Sequence, residues 1–169
     1  MTVLIVSESY FGNTRTVAQA ITSGLAHELG PDAVTVLRPG GAPHELPPEL
    51  DLLLVGAPTH EFSMPKAQSR RQAAEKGATD GDTVGVREWL QKITPRGDLR
   101  VLTFDTSIRM KFMPGSASKA AFKSLKKRGF RMAERGQSFY VADTAGPLVD
   151  GEEQRAEAWG RQLADSLSG

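Results

Sequence analysis

Cysteine is absent from all 169 residues. That excludes a disulfide scaffold, a thiolate metal site and a cysteine nucleophile. Histidine is scarce: His27, His44 and His60 are the only three, and they are too scattered for a zinc site. His44-Glu45 lacks the second histidine of a metalloprotease helix. No Gly-x-Ser-x-Gly nucleophile elbow occurs, so hydrolase readings are weak. The Gly-Lys-Ser/Thr end of a Walker A loop and the dinucleotide Gly-x-Gly-x-x-Gly fingerprint are missing too. No apolar run approaches the roughly 18 residues of a transmembrane helix. Net charge is only +1, so nothing global points to nucleic acid or an acidic membrane.

What remains is an ordinary globular composition, 39% hydrophobic and 24% charged. The length fits one domain spanning 1–169. Met1-Thr2 leads straight into Val3–Val6, without a basic n-region or a small-residue cleavage site, so a cytoplasmic protein is expected. Charge is unevenly distributed, however. Between Ser107 and Arg135 nine basic residues, Arg109 and Lys111 first among them, stand against the single acid Glu134. Such a run reads either as a solvated helix face or as a docking surface for an acidic partner.

Five short apolar runs punctuate the chain: Val3–Val6, Val34–Leu37, Leu52–Val55, Val101–Phe104 and Ser138–Val141. Three of them are nearly continuous, as expected of strands covered on both faces. Helical periodicity falls between and after them, over Thr14–Leu29, Thr83–Ile93, Ser116–Arg128 and Gly151–Leu167. Asp150 is the expected N-cap of the last helix, with Glu153 in capping-box position. Arg38–Leu50 is too rich in Pro and Gly to hold a normal helix. Lys66–Asp82 is a polar insert, helical over Ala67–Lys76 and loop-like over Gly77–Asp82. Within it Lys66, Arg70 and Arg71 read as a solvated face or as contacts to a nicotinamide cofactor's phosphate. The alternation predicts an α/β doubly wound sheet with helices on both faces.

The strongest chemical signal follows the first strand: Ser9-Tyr10-Phe11-Gly12-Asn13-Thr14. A phosphate needs several donors and a favourable dipole, and the first turn of a helix offers both. Ser9, Asn13 and Thr14 add side-chain donors, while Gly12 lets the backbone curl closely. The same residues would also make a simple capping turn, with Asn13 or Thr14 as the cap.

This segment resembles the phosphate-binding loop of the flavodoxin family, in which Ser/Thr-rich loops ending in Gly-Asn-Thr cradle the phosphate of flavin mononucleotide (FMN). The resemblance spans the chain and implies a flavodoxin-like five-stranded parallel sheet of order 2-1-3-4-5. It implies FMN as cofactor, with Ser9, Tyr10, Phe11, Gly12, Asn13 and Thr14 around its phosphate. In that topology the carboxyl ends of strands one, three and four surround the switch-point crevice. By position in the family, Pro58, Thr59, His60 and Phe62 would line one face of the flavin ring, and Phe104, Asp105, Thr106 and Ser107 would supply the other side, with backbone groups meeting the pyrimidine edge. His60 also reads as a plain loop histidine. No residue is assigned a catalytic role and none a metal. The implied activity is electron transfer to a redox partner protein, with no nucleic acid or membrane involved; the family usually keeps this rim acidic, whereas the basic run here points to an acidic partner docking near Arg109 and Lys111. The alternatives are a flavin-dependent NAD(P)H:quinone-type reductase, or a binding module on the same fold that has lost flavin. The family often stacks Trp and Tyr on the ring, whereas Trp89 and Trp159 fall in helical segments here.

Overall fold

The computed structural model describes residues 1–79 and 83–169. Five strands form one parallel sheet: β1 (Val3–Ser7), β2 (Val34–Leu37), β3 (Leu52–Pro58), β4 (Arg100–Ile108) and β5 (Ala133–Val141), in the order β2-β1-β3-β4-β5. The helices are α1 (Asn13–Leu29), α2 (Ala67–Glu75), α3 (Val86–Leu90), α4 (Ala117–Arg128) and α5 (Glu152–Ser168). Register follows from burial of alternate side chains on opposite faces. Leu4, Val6, Leu53, Val55 and Val101 pack with Trp89, Ile93, Leu125 and Phe130 on the face of α3 and α4. Val3, Ile5, Leu52, Leu54 and Leu102 pack with Val17, Ile21, Leu25, Trp159 and Leu163 on the face of α1 and α5. Both faces are dry, which is why these strands read as continuous apolar runs. Both tryptophans belong to this core.

Several boundaries differ from the sequence expectation, each for a local reason. β5 begins five residues before the apolar run, because the stretch from Glu134 to Gln137 belongs to an edge strand that leaves its side chains partly or fully exposed. α3 begins at Val86 rather than Thr83, since Gly85 is its extended N-cap. α5 is capped by Gly151 at φ +88°, not by Asp150. Glu152 there turns back to accept the Tyr140 N–H at 2.7 Å. The Pro- and Gly-rich crossover holds only one 3-10 turn, Pro39–Gly41. Of the loop expected at Gly77–Asp82, residues 80–82 lie outside the described residues. The parallel arrangement brings the carboxyl ends of β1, β3, β4 and β5 to one edge of the sheet. No helix among the described residues is long and apolar enough to cross a membrane.

Candidate functional site

A cleft of about 320 Å³ opens at that edge, within the size range of small-molecule sites. From the first loop Ser9, Tyr10, Phe11, Asn13 and Thr14 line it; from the second, Pro58, Thr59 and His60; from the end of β4, Thr106 and Ser107. Three segments far apart in sequence thus meet around one space.

The floor of the cleft is the start of α1. Gly12 is its N-cap in the left-handed region at φ +88°, a conformation costly for other residues, and as a glycine it supplies no side-chain cap of its own. The first turn holds no acid. Arg15 N–H reaches Ser9 Oγ at a long 3.4 Å. The Thr14 hydroxyl is bonded to the Thr106 hydroxyl at 2.7 Å, tying the first and third segments together. Asn13 Nδ2 donates to the Ala145 carbonyl at 3.2 Å and so anchors the loop after β5. Each of these two side chains therefore has one structural contact already, which the sequence did not disclose.

The second loop makes a tight turn. His60 and Ser63 exchange both backbone hydrogen bonds, at 2.9 and 3.0 Å, and the two residues between them take positive φ: Glu61 at 49° and Phe62 at 60°. Left-handed backbone at a bulky residue such as Phe62 is strained and concentrates at functional sites. His60 Nδ1 is shielded from solvent without a hydrogen-bond partner among the described residues. Phe62 is not part of the cleft lining and is 45% exposed.

Two further expected site residues are not at the cleft. β4 alternates, so Phe104 and Asp105 face the two cores. The Phe104 ring packs over Gly56, where a Cβ would collide with it, and edge-on against Trp159. Asp105 is fully buried on the opposite face, where Oδ2 accepts the Ser118 N–H at 2.8 Å and Oδ1 has no partner among the described residues. Burial pushes its carboxyl above the usual range, the nearby Ser116 hydroxyl and the Ser118 N–H offsetting this only in part.

Sequence reasoning missed a buried ionic network beside the cleft. Glu8, directly after β1, is 2% exposed, and Arg70 of α2 is 7% exposed. Arg70 Nε donates to Glu8 Oε1 at 2.6 Å, and its two terminal nitrogens donate to Glu88 at 2.8 and 2.6 Å. Tyr10 donates its hydroxyl to Glu8 at 3.0 Å, and burial together with that carboxylate raises the phenol well above its ordinary value. Glu8 Oε2 accepts the Val86 N–H at the start of α3, at 3.1 Å. Arg70 is thus neither a solvated cation nor a cofactor contact. It pins α2 beside the loop, and Gln72, Ala73 and Lys76 of that segment line the cleft, as does Thr144 after β5. One signal was readable: a glutamate at the end of a buried strand requires a partner. Among the described residues no group of His, Asp and Glu could hold a metal ion.

No family model and no curated protein matches the sequence. Solved structures do match. A flavodoxin from the domain Archaea superposes over 100% of both chains with a TM-score of 0.67 at 19% identity. Oxidised flavodoxin 2 from Bacillus cereus covers 99% of this chain and 98% of its own, with a TM-score of 0.63 at 17% identity. Rubredoxin oxygen:oxidoreductase from Desulfovibrio gigas matches 99% of this chain over 36% of its own length, with a TM-score of 0.64 at 15% identity. The fold is that of the flavodoxins, with the five-stranded parallel order described above.

Proposed function

We propose that the cleft binds FMN and that the protein carries electrons. The observation that supports this most is the start of α1: a helix N-terminus whose N-cap is a left-handed glycine with no side chain to offer, and whose first turn holds no acid, at the switch point of the sheet. The donor set fits a phosphate ester: α1 backbone N–H groups and the side chains of Ser9 and Asn13, with Thr14 oriented by Thr106. Bound FMN would supply the redox chemistry itself.

The chain's own residues bind and orient. Pro58, Thr59 and His60 form one wall and Thr106 and Ser107 another. The Glu8–Arg70 network fixes the first loop relative to α2. No nucleophile or general base is required by this role. The test is equilibrium titration of apo-protein with FMN, riboflavin and FAD, followed by flavin fluorescence and visible absorption. FMN is expected to bind most tightly, since the loop suits one terminal phosphate. Equal affinity for riboflavin and FMN would show that the α1 terminus contributes nothing and would overturn the reading.

A further inference from the structure

We infer that the mouth of the cleft is a docking surface for a small acidic electron-transfer protein. The inference rests on the flavin reading only for its purpose; the surface is defined by its own chemistry. Phe62, Ile108, Met110 and Phe112 are 45%, 41%, 49% and 79% exposed. They are half of the eight large exposed hydrophobic residues among those described, and all belong to the two segments at the cleft. Those segments touch: a Cβ at Gly115 would strike the Phe62 carbonyl. Ala117 N–H also donates across to Thr59 Oγ1 at 3.0 Å. Ile108 itself lines the cleft, so the apolar group is continuous with it.

Cations surround this group. Arg109 and Lys111 alternate with the apolar residues of the same loop. Arg109 is held over the Tyr140 ring at 4.5 Å, and Lys119 reaches the Pro114 carbonyl at 3.5 Å, which keeps its charge by the loop. The exposed acids on neighbouring segments are Glu61, Glu75, Asp143 and Asp150, but none stands in the loop that carries the apolar residues, where Arg109 and Lys111 are the charges. Exposed apolar anchors inside a charged rim are the anatomy of a transient protein interface. A basic rim selects an acidic partner, raises its on-rate at low salt and repels a basic one.

The test measures binding by calorimetry with two probes, a small acidic [2Fe–2S] ferredoxin and a basic c-type cytochrome, with and without FMN. Ferredoxin is expected to bind at low salt and weaken about tenfold on moving from roughly 20 to 200 mM salt. Reversing charge with Lys111→Glu and Lys119→Glu should weaken it about tenfold at low salt, and Phe112→Ser should weaken it while leaving the salt slope intact. FMN affinity, set inside the cleft, should not change in any of these variants. No ferredoxin binding at low salt, binding indifferent to the variants, or preference for the cytochrome overturns the inference. A protein that binds ferredoxin but not FMN would retain the surface and lose the flavin reading; the reverse outcome would retain flavin and lose the surface.

Discussion

Two helices begin at the same edge of the sheet and treat their N-termini in opposite ways. At α4 the chain supplies its own acceptors from three elements. Ser116 Oγ takes the Lys119 N–H at 3.2 Å, Thr59 the Ala117 N–H at 3.0 Å, and Asp105 the Ser118 N–H at 2.8 Å. At α1 the cap is a glycine and the first turn holds no acid. A side-chain cap contributes about 1 kcal/mol, so α1 forgoes stability that α4 takes. Both helices follow β-strands and both are well packed, so propensity does not explain the contrast. The surroundings differ: the first donors of α4 are taken by groups of the fold, whereas α1 starts at Asn13 and Thr14, which line the cleft. α3 belongs with α4, since Glu8 and Glu88 close its start.

The largest expected effect tests that third, closed terminus. Arg70→Met removes the counter-ion of a Glu8 that stays buried against Tyr10 and Val86. Breaking one side of a buried pair typically destabilises by about 3–5 kcal/mol. Urea unfolding should show a loss of that order, and the double variant Glu8→Gln, Arg70→Met should recover much of it. If the double variant is no better than the single, the ion pair is not the source of the loss.

Next in size is making α1 resemble its closed neighbours. Asn13→Asp puts a carboxylate in the first turn, where it suits the helix dipole but repels a phosphate. At an effective dielectric near 20, a unit charge about 5 Å away costs roughly 2–3 kcal/mol after partial screening. FMN should therefore bind about a hundredfold more weakly, while riboflavin affinity stays the same. An equal loss for both flavins would mean that Asn13 acts only by anchoring the loop at Ala145.

Removing a cap from the closed helix is milder. Ser116→Ala should lower stability by about 1 kcal/mol in denaturant unfolding and leave FMN affinity unchanged. A loss of FMN affinity without a loss of stability would make the α4 terminus part of the ligand site and erase the contrast.

Much of the fold was legible because the central strands are dry on both faces, which turns them into unbroken apolar runs such as Val3–Val6 and Leu52–Val55. The polar first half of β5 was not, since an edge strand needs no apolar signature. At the site, Ser9 and Asn13 were legible because a glycine-bearing turn leads from a buried strand into a helix. That the side chains of Phe104 and Asp105 face the cores was not legible, because a position at the end of a strand does not tell which way a side chain faces. Only the phase of β4 does, with Thr106 toward Thr14 and Asp105 toward Ser118. The Glu8–Arg70 pair joins residues 62 positions apart, beyond the reach of any local pattern.

The smallest expected effect is a slope, and it asks whether the carboxylate that closes α4 is held at a cost. Asp105 is fully buried with one oxygen unpartnered among the described residues, and burial raises its pKa above the unfolded value. A raised folded pKa means that the folded protein holds this proton more tightly than the unfolded chain. The stabilising contribution is therefore complete below the unfolded pKa of about 3.9 and is lost as pH rises through the folded value. The amide introduced by Asp105→Asn cannot ionise, yet its oxygen can still accept the Ser118 N–H. The stability of that variant relative to wild type should be flat below about pH 4 and should then rise with pH until the wild-type carboxyl is ionised. Urea unfolding at a series of pH values measures that difference directly. A difference that stays constant, or that falls with pH, would mean that the carboxylate is well solvated by its surroundings. Closing α4 with an acid would then carry no electrostatic penalty.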